Sequence, residues 1–395
     1  MKNDNIILRI DEYTHNIMKL KSQLMGISKS KLIRQSCVSY LNTYNNDVFK
    51  RILDIYKKSE NDRQSMIDLL FEYYRSYGFP YVSLTDEQKN IRINRVIRSL
   101  SPLLDNNELQ HNLIGIDLAN SFHPNMIKAG YNNMMSPYQA FYDDIKFKDC
   151  IKRLLDLNNV PNNAGMRKIL RTRNGVRGVS NFKPVIARFL YQKYVPVNGR
   201  VLDPCAGYSG RLVGCIGANK NIYYEGIDQD EKSAIGNMEC ASFFSGQTDQ
   251  LTNERIFNFT FSFHLGCAEN VMKFLSSDSY DLIFTSPPYF GVEHYSDSLD
   301  QSDNKNKTYD DWLNNFLFAI IKESDRLVKK DGKIIINIKN TKKYQIADDL
   351  ISFCKNNSMV LETTYYMKLP NSEYHRSSEQ IKNYHTEPIF VFKKI

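Results

Sequence analysis

Val201-Leu202-Asp203-Pro204-Cys205-Ala206-Gly207-Tyr208-Ser209-Gly210 follows an apolar run and opens a helical one. Val201 and Leu202 belong to a strand. Gly207 and Gly210 shape a turn where backbone can approach a ligand, and the first N–H groups of the next helix face whatever binds there. Many nucleotide-binding proteins carry a glycine-rich turn between strand and helix, so the turn alone names no ligand. Outward from it, strand and helix patterns alternate from Ser180 onward, with strand candidates at 200–203, 222–227, 259–263, 281–285, 333–338, 360–367 and 388–393. Such alternation predicts a doubly wound α/β domain.

Three further segments give the turn a context. Asn181-Phe182-Lys183-Pro184 starts a helix that leads into the strand. Tyr223-Tyr224-Glu225-Gly226-Ile227-Asp228 ends the next strand with a carboxylate, which can accept hydrogen bonds from two ribose hydroxyls; Glu225 falls inside the strand. Ser286-Pro287-Pro288-Tyr289 follows the fourth strand, 83 residues after Asp203. Two consecutive prolines remove two N–H donors and leave carbonyl oxygens in the cleft. Ser-Pro-Pro-Tyr in this place resembles the catalytic motif of amino-methylating DNA methyltransferases. Their target, an amino group on a base, is a poor nucleophile because its lone pair is delocalised into the ring. Acceptors at Ser286 Oγ and the Pro287 carbonyl would bind its two hydrogens and favour a pyramidal nitrogen, and Tyr289 would stack on an extruded base. Displacement at a methyl sulfonium then needs alignment and no covalent intermediate.

This set resembles the amino-methylating DNA methyltransferases, which act on N4 of cytosine or N6 of adenine. Asp-Pro-x-x-Gly-x-x-Gly at 203–210 is similar to the family's first motif, and Phe182-Lys183-Pro184 to the Lys-Pro motif at the methionine end of its cofactor pocket. The resemblance implies a Rossmann-like seven-stranded domain, the last two strands paired antiparallel, with S-adenosylmethionine as cofactor. It implies cofactor contacts from Phe182, Lys183, Pro184, Asp203, Pro204, Cys205, Gly207, Gly210 and Asp228. Gly266-Cys267-Ala268 stands where the family commonly has Gly-Asp-Ala against adenine; Cys267 replaces the aspartate, and the Ala268 backbone is left to serve. Serine at the head of Ser286–Tyr289 favours N4 of cytosine, with N6 of adenine next. Carbon-5 methylation would need a cysteine in that motif. The polar segment from Glu293-His294-Tyr295 to Tyr309 is expected to form a flexible lid over the target base.

The rest of the chain points to the partner. Residues 1–180 hold 27 Lys/Arg against 18 Asp/Glu, whereas residues 181–395 hold 25 against 26, so the net charge of +8 comes from the first half. A basic half beside a neutral one suits a polyanion-binding module joined to a catalytic one, here with double-stranded DNA as the partner. Residues 5–44 read as a strand (5–11) and two helices (12–25 and 29–43), a pattern that resembles ribbon-helix-helix proteins. That resemblance implies base contact from Arg9, phosphate contact at Ser28 and Ser30, and a homodimer through residues 5–44. Arg167, Lys168, Arg171, Arg173 and Arg177 form a basic segment suited to phosphate.

The expected organisation is thus 1–45 ribbon-helix-helix, 46–165 a mainly helical target-recognition region, and 166–395 catalytic. No role is assigned to residues 120–165, which are rich in Asn, Pro and Tyr. Seven scattered cysteines without CxxC spacing predict neither disulfides nor a zinc site, and no metal is expected. Without an apolar run of membrane length or a signal peptide, the chain is expected in the cytoplasm. Two alternatives stay open: an RNA amino-group methyltransferase, and a DNA-binding regulator with a degenerate methyltransferase domain.

Overall fold

The computed structural model describes residues 63–131, 134–157, 162–248, 256–294, 301–369 and 386–394. The expected strand and helices of residues 5–44, with Arg9, Ser28, Ser30 and the pairing of two chains, lie outside the described residues. Two short strands come first, β1 (Glu108–Leu109) and β2 (Gly130–Tyr131). The seven expected strands follow with one short strand among them: β3 (Arg200–Asp203), β4 (Ile222–Asp228), β5 (Phe259–Leu265), β6 (Tyr280–Thr285), β7 (Glu293–His294), β8 (Val328–Asn337), β9 (Met359–Lys368) and β10 (Thr386–Lys394).

The main sheet runs β1-β9-β10-β8-β6-β3-β4-β5, and β2 pairs with β7 apart from it. Strands β5, β4, β3, β6 and β8 are parallel, while β10 lies antiparallel between β8 and β9. The fold is a Rossmann-like α/β sheet with eight strands rather than seven. The extra one is β1, whose two residues pair parallel with β9 through Glu108 opposite Tyr366 and Leu109 opposite Met367. Two residues carry no periodicity, so no sequence pattern could reveal that strand.

Parallel strands covered on both faces read as continuous apolar runs. In β6, Leu282 and Phe284 enter one core while Ile283 between them enters the other, the alternation a pleated strand imposes. The first core gathers helices α2 (Asp86–Ile97), α5 (Pro184–Tyr194), α6 (Gly210–Ala218) and α7 (Glu231–Ser245), whereas α8 (Phe318–Leu327) and α9 (Ile346–Asn356) cover the other face with Trp312. Helices α1 (Arg63–Tyr77), α3 (Asp144–Asp156) and α4 (Asn163–Thr172) pack around a third core of their own. Packing therefore places α2 and β1 with the sheet and leaves α4 with the helical unit.

From β3 the chain steps to β4 and β5 on one side, while β6 and β8 lie on the other. The crevice outside the carboxyl ends of β3 and β6 is thus the switch point of the sheet, where ligands bind in open α/β folds. One buried ion pair anchors that point. Asp203, the last residue of β3, is fully buried; it accepts from Arg211 Nε at 2.7 Å and Nη2 at 3.1 Å, and from the Tyr224 hydroxyl at 2.7 Å. Arg211 also lies 5.8 Å from the Phe182 ring and 5.9 Å from that of Phe284. A charge in this position is tolerated only when paired and hydrogen-bonded. The pair ties β3 to α6 and β4 together.

Asp203→Asn leaves Arg211 in the core without its counter-ion and should cost about 3–5 kcal/mol, read as a lower midpoint in urea denaturation. Asp203→Leu combined with Arg211→Met removes both charges and should cost less than Asp203→Asn alone. A double variant as unstable as the single one would show that the charge balance is not what holds this junction.

Candidate functional site

The loop between β3 and α6 is strapped to both neighbouring strands by three consecutive backbone donors. Cys205 N–H reaches Thr285 Oγ1 on β6 at 3.1 Å, Ala206 N–H the Ile227 carbonyl on β4 at 2.9 Å, and Gly207 N–H Asp228 Oδ2 at 2.8 Å. Its carbonyls are held as well: Cys205 by Arg211, Gly207 by Asn237 Nδ2 at 2.8 Å, and Tyr208 by Asn181 Nδ2 at 2.6 Å. Buried Ser209 donates to Asn237 Oδ1 and lies against His123 Nε2, both at 2.7 Å. With its hydrogen given to Asn237, Ser209 accepts from His123, which places the imidazole proton on Nε2. Burial holds His123 down at about 3, so it stays neutral, and its Nδ1 has no hydrogen-bond partner among the described residues.

The two loop glycines serve different ends. Gly207 sits at φ 60°, and a Cβ there would meet nothing nearer than the Cys205 carbonyl at 3.8 Å, so this point faces open space. At Gly210 a Cβ would fall 2.3 Å from Asn181 Oδ1 and 2.4 Å from the Phe182 carbonyl. The first leaves room for a ligand; the second lets the loop seat on the start of α5.

The expected cofactor residues fall into two groups. Phe182 packs edge-on against Phe284 at 5.2 Å, and Pro184 opens α5, as suits a residue without an N–H. Both are buried, as is Pro204. Lys183 is half-buried and donates to the Asn181 carbonyl at 3.2 Å; burial lowers its pKa, and the nearby Arg171 pushes it the same way. Cys205 is half-buried, its thiol pushed up by burial and by Asp203.

Asp228 closes β4, with Oδ2 on Gly207 N–H and Oδ1 on Asp230 N–H at 2.9 Å. Each oxygen retains a second lone pair. Burial raises this carboxyl to about 7 against those two donors. Gly266 N–H donates to the Asp228 carbonyl at 2.9 Å, which brings the Cys267–Ala268 turn beside it; Cys267 Sγ contacts Gln229 Oε1 at 3.8 Å. Glu225, by contrast, is spent inside the sheet on Tyr280 and His264, each at 2.7 Å.

Ser286 stands at the end of β6, next to the residue that straps the loop. Its Oγ donates towards Asn337 at the end of β8, 3.2 Å from the carbonyl and 3.3 Å from Oδ1, while Asn337 Nδ2 donates to the Pro388 carbonyl at 3.0 Å. The Tyr289 hydroxyl donates to Glu387 Oε1 at 2.6 Å and accepts from Lys339 N–H at 3.2 Å. Tyr289 is only 9% exposed and packs in the core with Phe290 and Trp312, so little of its ring reaches the cleft. The stacking platform expected of it is not what this packing provides. Pro287 is buried and Pro288 half-buried.

Downstream, Glu293–His294 pairs with Gly130–Tyr131, and Gln301, Ser302 and Asn306 are buried. Residues 295–300 of the expected lid lie outside the described residues.

The basic segment is largely turned inward. Arg167 donates to the Pro80 carbonyl at 3.0 Å, Arg171 to the Val179 carbonyl, and Arg173 grips Asp149 at 2.6 and 2.8 Å. Of the five cations expected to meet phosphate, Lys168 and Arg177 are the two with exposed side chains. A count of charges could not show that the others have partners at home. Sequence reasoning also missed Arg211, His123, Asn237, Asn337 and Glu387. Only Arg211 left a signal, a lone charge in the apolar helix Gly210–Ala218 that must find a buried partner. Among the described residues, no helix is long and apolar enough to cross a membrane, and no three His, Cys, Asp or Glu side chains gather as a metal site.

Residues 280–395, under a third of the chain, match the N6 and N4 methyltransferase family, described as DNA methylase. No curated protein matches the chain. Among solved structures, TrmN from Thermus thermophilus aligns at 17% identity over 54% of this chain and 49% of its own, with a TM-score of 0.33. The chain thus spans about half the length of that protein. A putative rRNA methylase from Clostridium thermocellum aligns at 11% identity over 55% of this chain and all of its own, with a TM-score of 0.35. The family match, on a segment that begins with β6 and Ser286–Tyr289, supports a methyltransferase with S-adenosylmethionine as its cofactor.

Proposed function

We propose that the chain methylates the exocyclic amino group of a base in double-stranded DNA, N4 of cytosine ahead of N6 of adenine. The observation that carries this reading is the direction of the Ser286 hydroxyl. Its hydrogen is committed to Asn337, so the lone pairs of Oγ remain to accept from an amino group. The Pro287 carbonyl is the second acceptor. An amino nitrogen held by both hydrogens is drawn towards the pyramidal geometry in which its lone pair can attack. When bound, S-adenosylmethionine supplies an electrophilic methyl group on sulfur. The open face at Gly207 and the free lone pairs of Asp228 fit such a ligand, with Asp228 taking the two ribose hydroxyls. Carbon-5 chemistry would need a thiolate beside the base. Cys205 instead lies in the strapped loop with its thiol pushed up by burial.

Nucleoside mass spectrometry of DNA from cells expressing the chain should find N4-methylcytosine or N6-methyladenine, and Ser286→Ala should lower the yield by a factor of 10 or more (about 1.4 kcal/mol per tenfold). Modified bases in RNA and none in DNA would move the reading to an RNA amino-group methyltransferase.

Asp228 sets a pH dependence. Its carboxyl, raised to about 7, is neutral below that pH and ionised above it. Hydroxyl donors prefer the ionised form, so cofactor affinity should rise as pH increases through about 7 and fall below it. Isothermal titration from pH 6 to 8 checks this, and Asp228→Asn should bind more weakly with a flat profile. An unchanged profile in that variant would remove Asp228 from the ribose site.

A further inference from the structure

Beyond His123, which supports the loop at Ser209, residues 120–165 carry a surface joined to the crevice. An open hollow on the helical unit is lined by Met134, Met135, Tyr138, Gln139, Tyr142 and Asp143. The Tyr138 and Tyr142 rings lie 4.6 Å apart, Tyr142 is 55% exposed, and Tyr81 beside them is 43% exposed. Burial raises the Tyr81 phenol, and the adjacent Tyr142 and Tyr138 raise it further. Large rings left on a surface at this density lose the hydrophobic stabilisation they would gain under a partner.

Cations flank the rings. Lys128 Nζ sits 4.9 Å from the Tyr138 ring, and the exposed Arg177 guanidinium lies 5.0 Å from that of Tyr131. The nearby acids are engaged, Asp143 capping the Lys146 N–H at 2.8 Å and Asp144 pairing with Arg75 at 2.8 Å.

Backbone links connect this surface to the crevice. Tyr131 pairs with Glu293 and Gly130 with His294, on the segment that continues Ser286–Tyr289. Met135 exchanges backbone hydrogen bonds with the 175–177 turn, at 2.9 Å from its N–H to the Gly175 carbonyl and 3.0 Å from the Arg177 N–H to its own carbonyl. Tyr131 also packs with Val179 and with Tyr208 of the strapped loop.

We propose that this face holds the DNA strand next to the target base, with unpaired bases stacking on Tyr138 and Tyr142 and phosphates meeting Lys128 and Arg177. The proposal rests on DNA as the substrate class and adds where and how the strand is held. Stacking is tolerant of sequence, since every base has a π face, and it requires bases that are not paired in a duplex. The face should therefore bind single-stranded or distorted DNA more tightly than an intact duplex.

The test is fluorescence anisotropy of the full chain with a short labelled single-stranded deoxyoligonucleotide. Tyr138→Ala with Tyr142→Ala should weaken binding about 10- to 100-fold, the loss of stacking for one base. Phe at both positions should retain affinity within about twofold, because the ring and not the hydroxyl is used. Arg177→Ala should weaken binding and reduce the slope against log salt by about one. Met134→Glu, at an exposed position that adds charge without emptying a core, should also weaken binding and guards against a double variant that fails to fold. Folded variants that bind as the parent does would overturn the proposal. A parent chain that binds no DNA at low salt would instead overturn DNA as the substrate class. Tighter binding to RNA of the same sequence would count against the DNA strand as occupant.

Discussion

The loop that follows β3 is held by its neighbours before it holds anything else. Three consecutive N–H groups go to β6, β4 and Asp228, and the carbonyls of Cys205, Gly207 and Tyr208 go to Arg211, Asn237 and Asn181. A turn whose polar groups are satisfied by buried partners cannot relax without exposing several of them, each at a cost of about 1–3 kcal/mol. Its shape is therefore fixed in advance of any ligand, as preorganised binding requires. The same straps set the distance between this loop and the end of β6. Cys205 is tied to Thr285, and Ser286 is the next residue, so the crevice floor and the Ser286 hydroxyl move as one piece.

Around that piece the chain arranges partners drawn from distant segments. Ser286 and Asn337 are 51 residues apart, Tyr289 and Glu387 are 98, and His123 reaches Ser209 across 86. The strand ends converge because a parallel sheet aligns them, and polar side chains at those ends then find each other. Position 286 carries a neutral hydroxyl. Its hydrogen must go elsewhere for the oxygen to face a donor, and Asn337, anchored by Pro388, receives it.

The parts of this architecture that repeat were legible in the sequence. β3, β4, β6 and β8 are apolar runs bounded by turns, and Gly207, Gly210 and the two prolines mark chain bends that few other residues permit. What stayed hidden depends on three-dimensional partners. Arg167, Arg171 and Arg173 look identical to surface cations until Pro80, Val179 and Asp149 are seen beside them. Tyr289 reads as a platform from its motif, but Glu387 and the backbone of Lys339 draw it into the core. β1 escaped because a strand of two residues has no period to detect.

The antiparallel placement of β10 between β8 and β9 also dictates an order of assembly. As the chain emerges from the ribosome, β8 and β9 are made before the strand that comes to lie between them. Both present bare edges until Thr386–Lys394 arrives. Glu387 and Pro388 arrive with that strand, and they restrain Tyr289 and Asn337. The Tyr289 bond therefore waits for a segment 98 residues further along the chain. A chain halted before this strand would carry the strapped loop after β3 but lack the Glu387 and Pro388 partners of Tyr289 and Asn337.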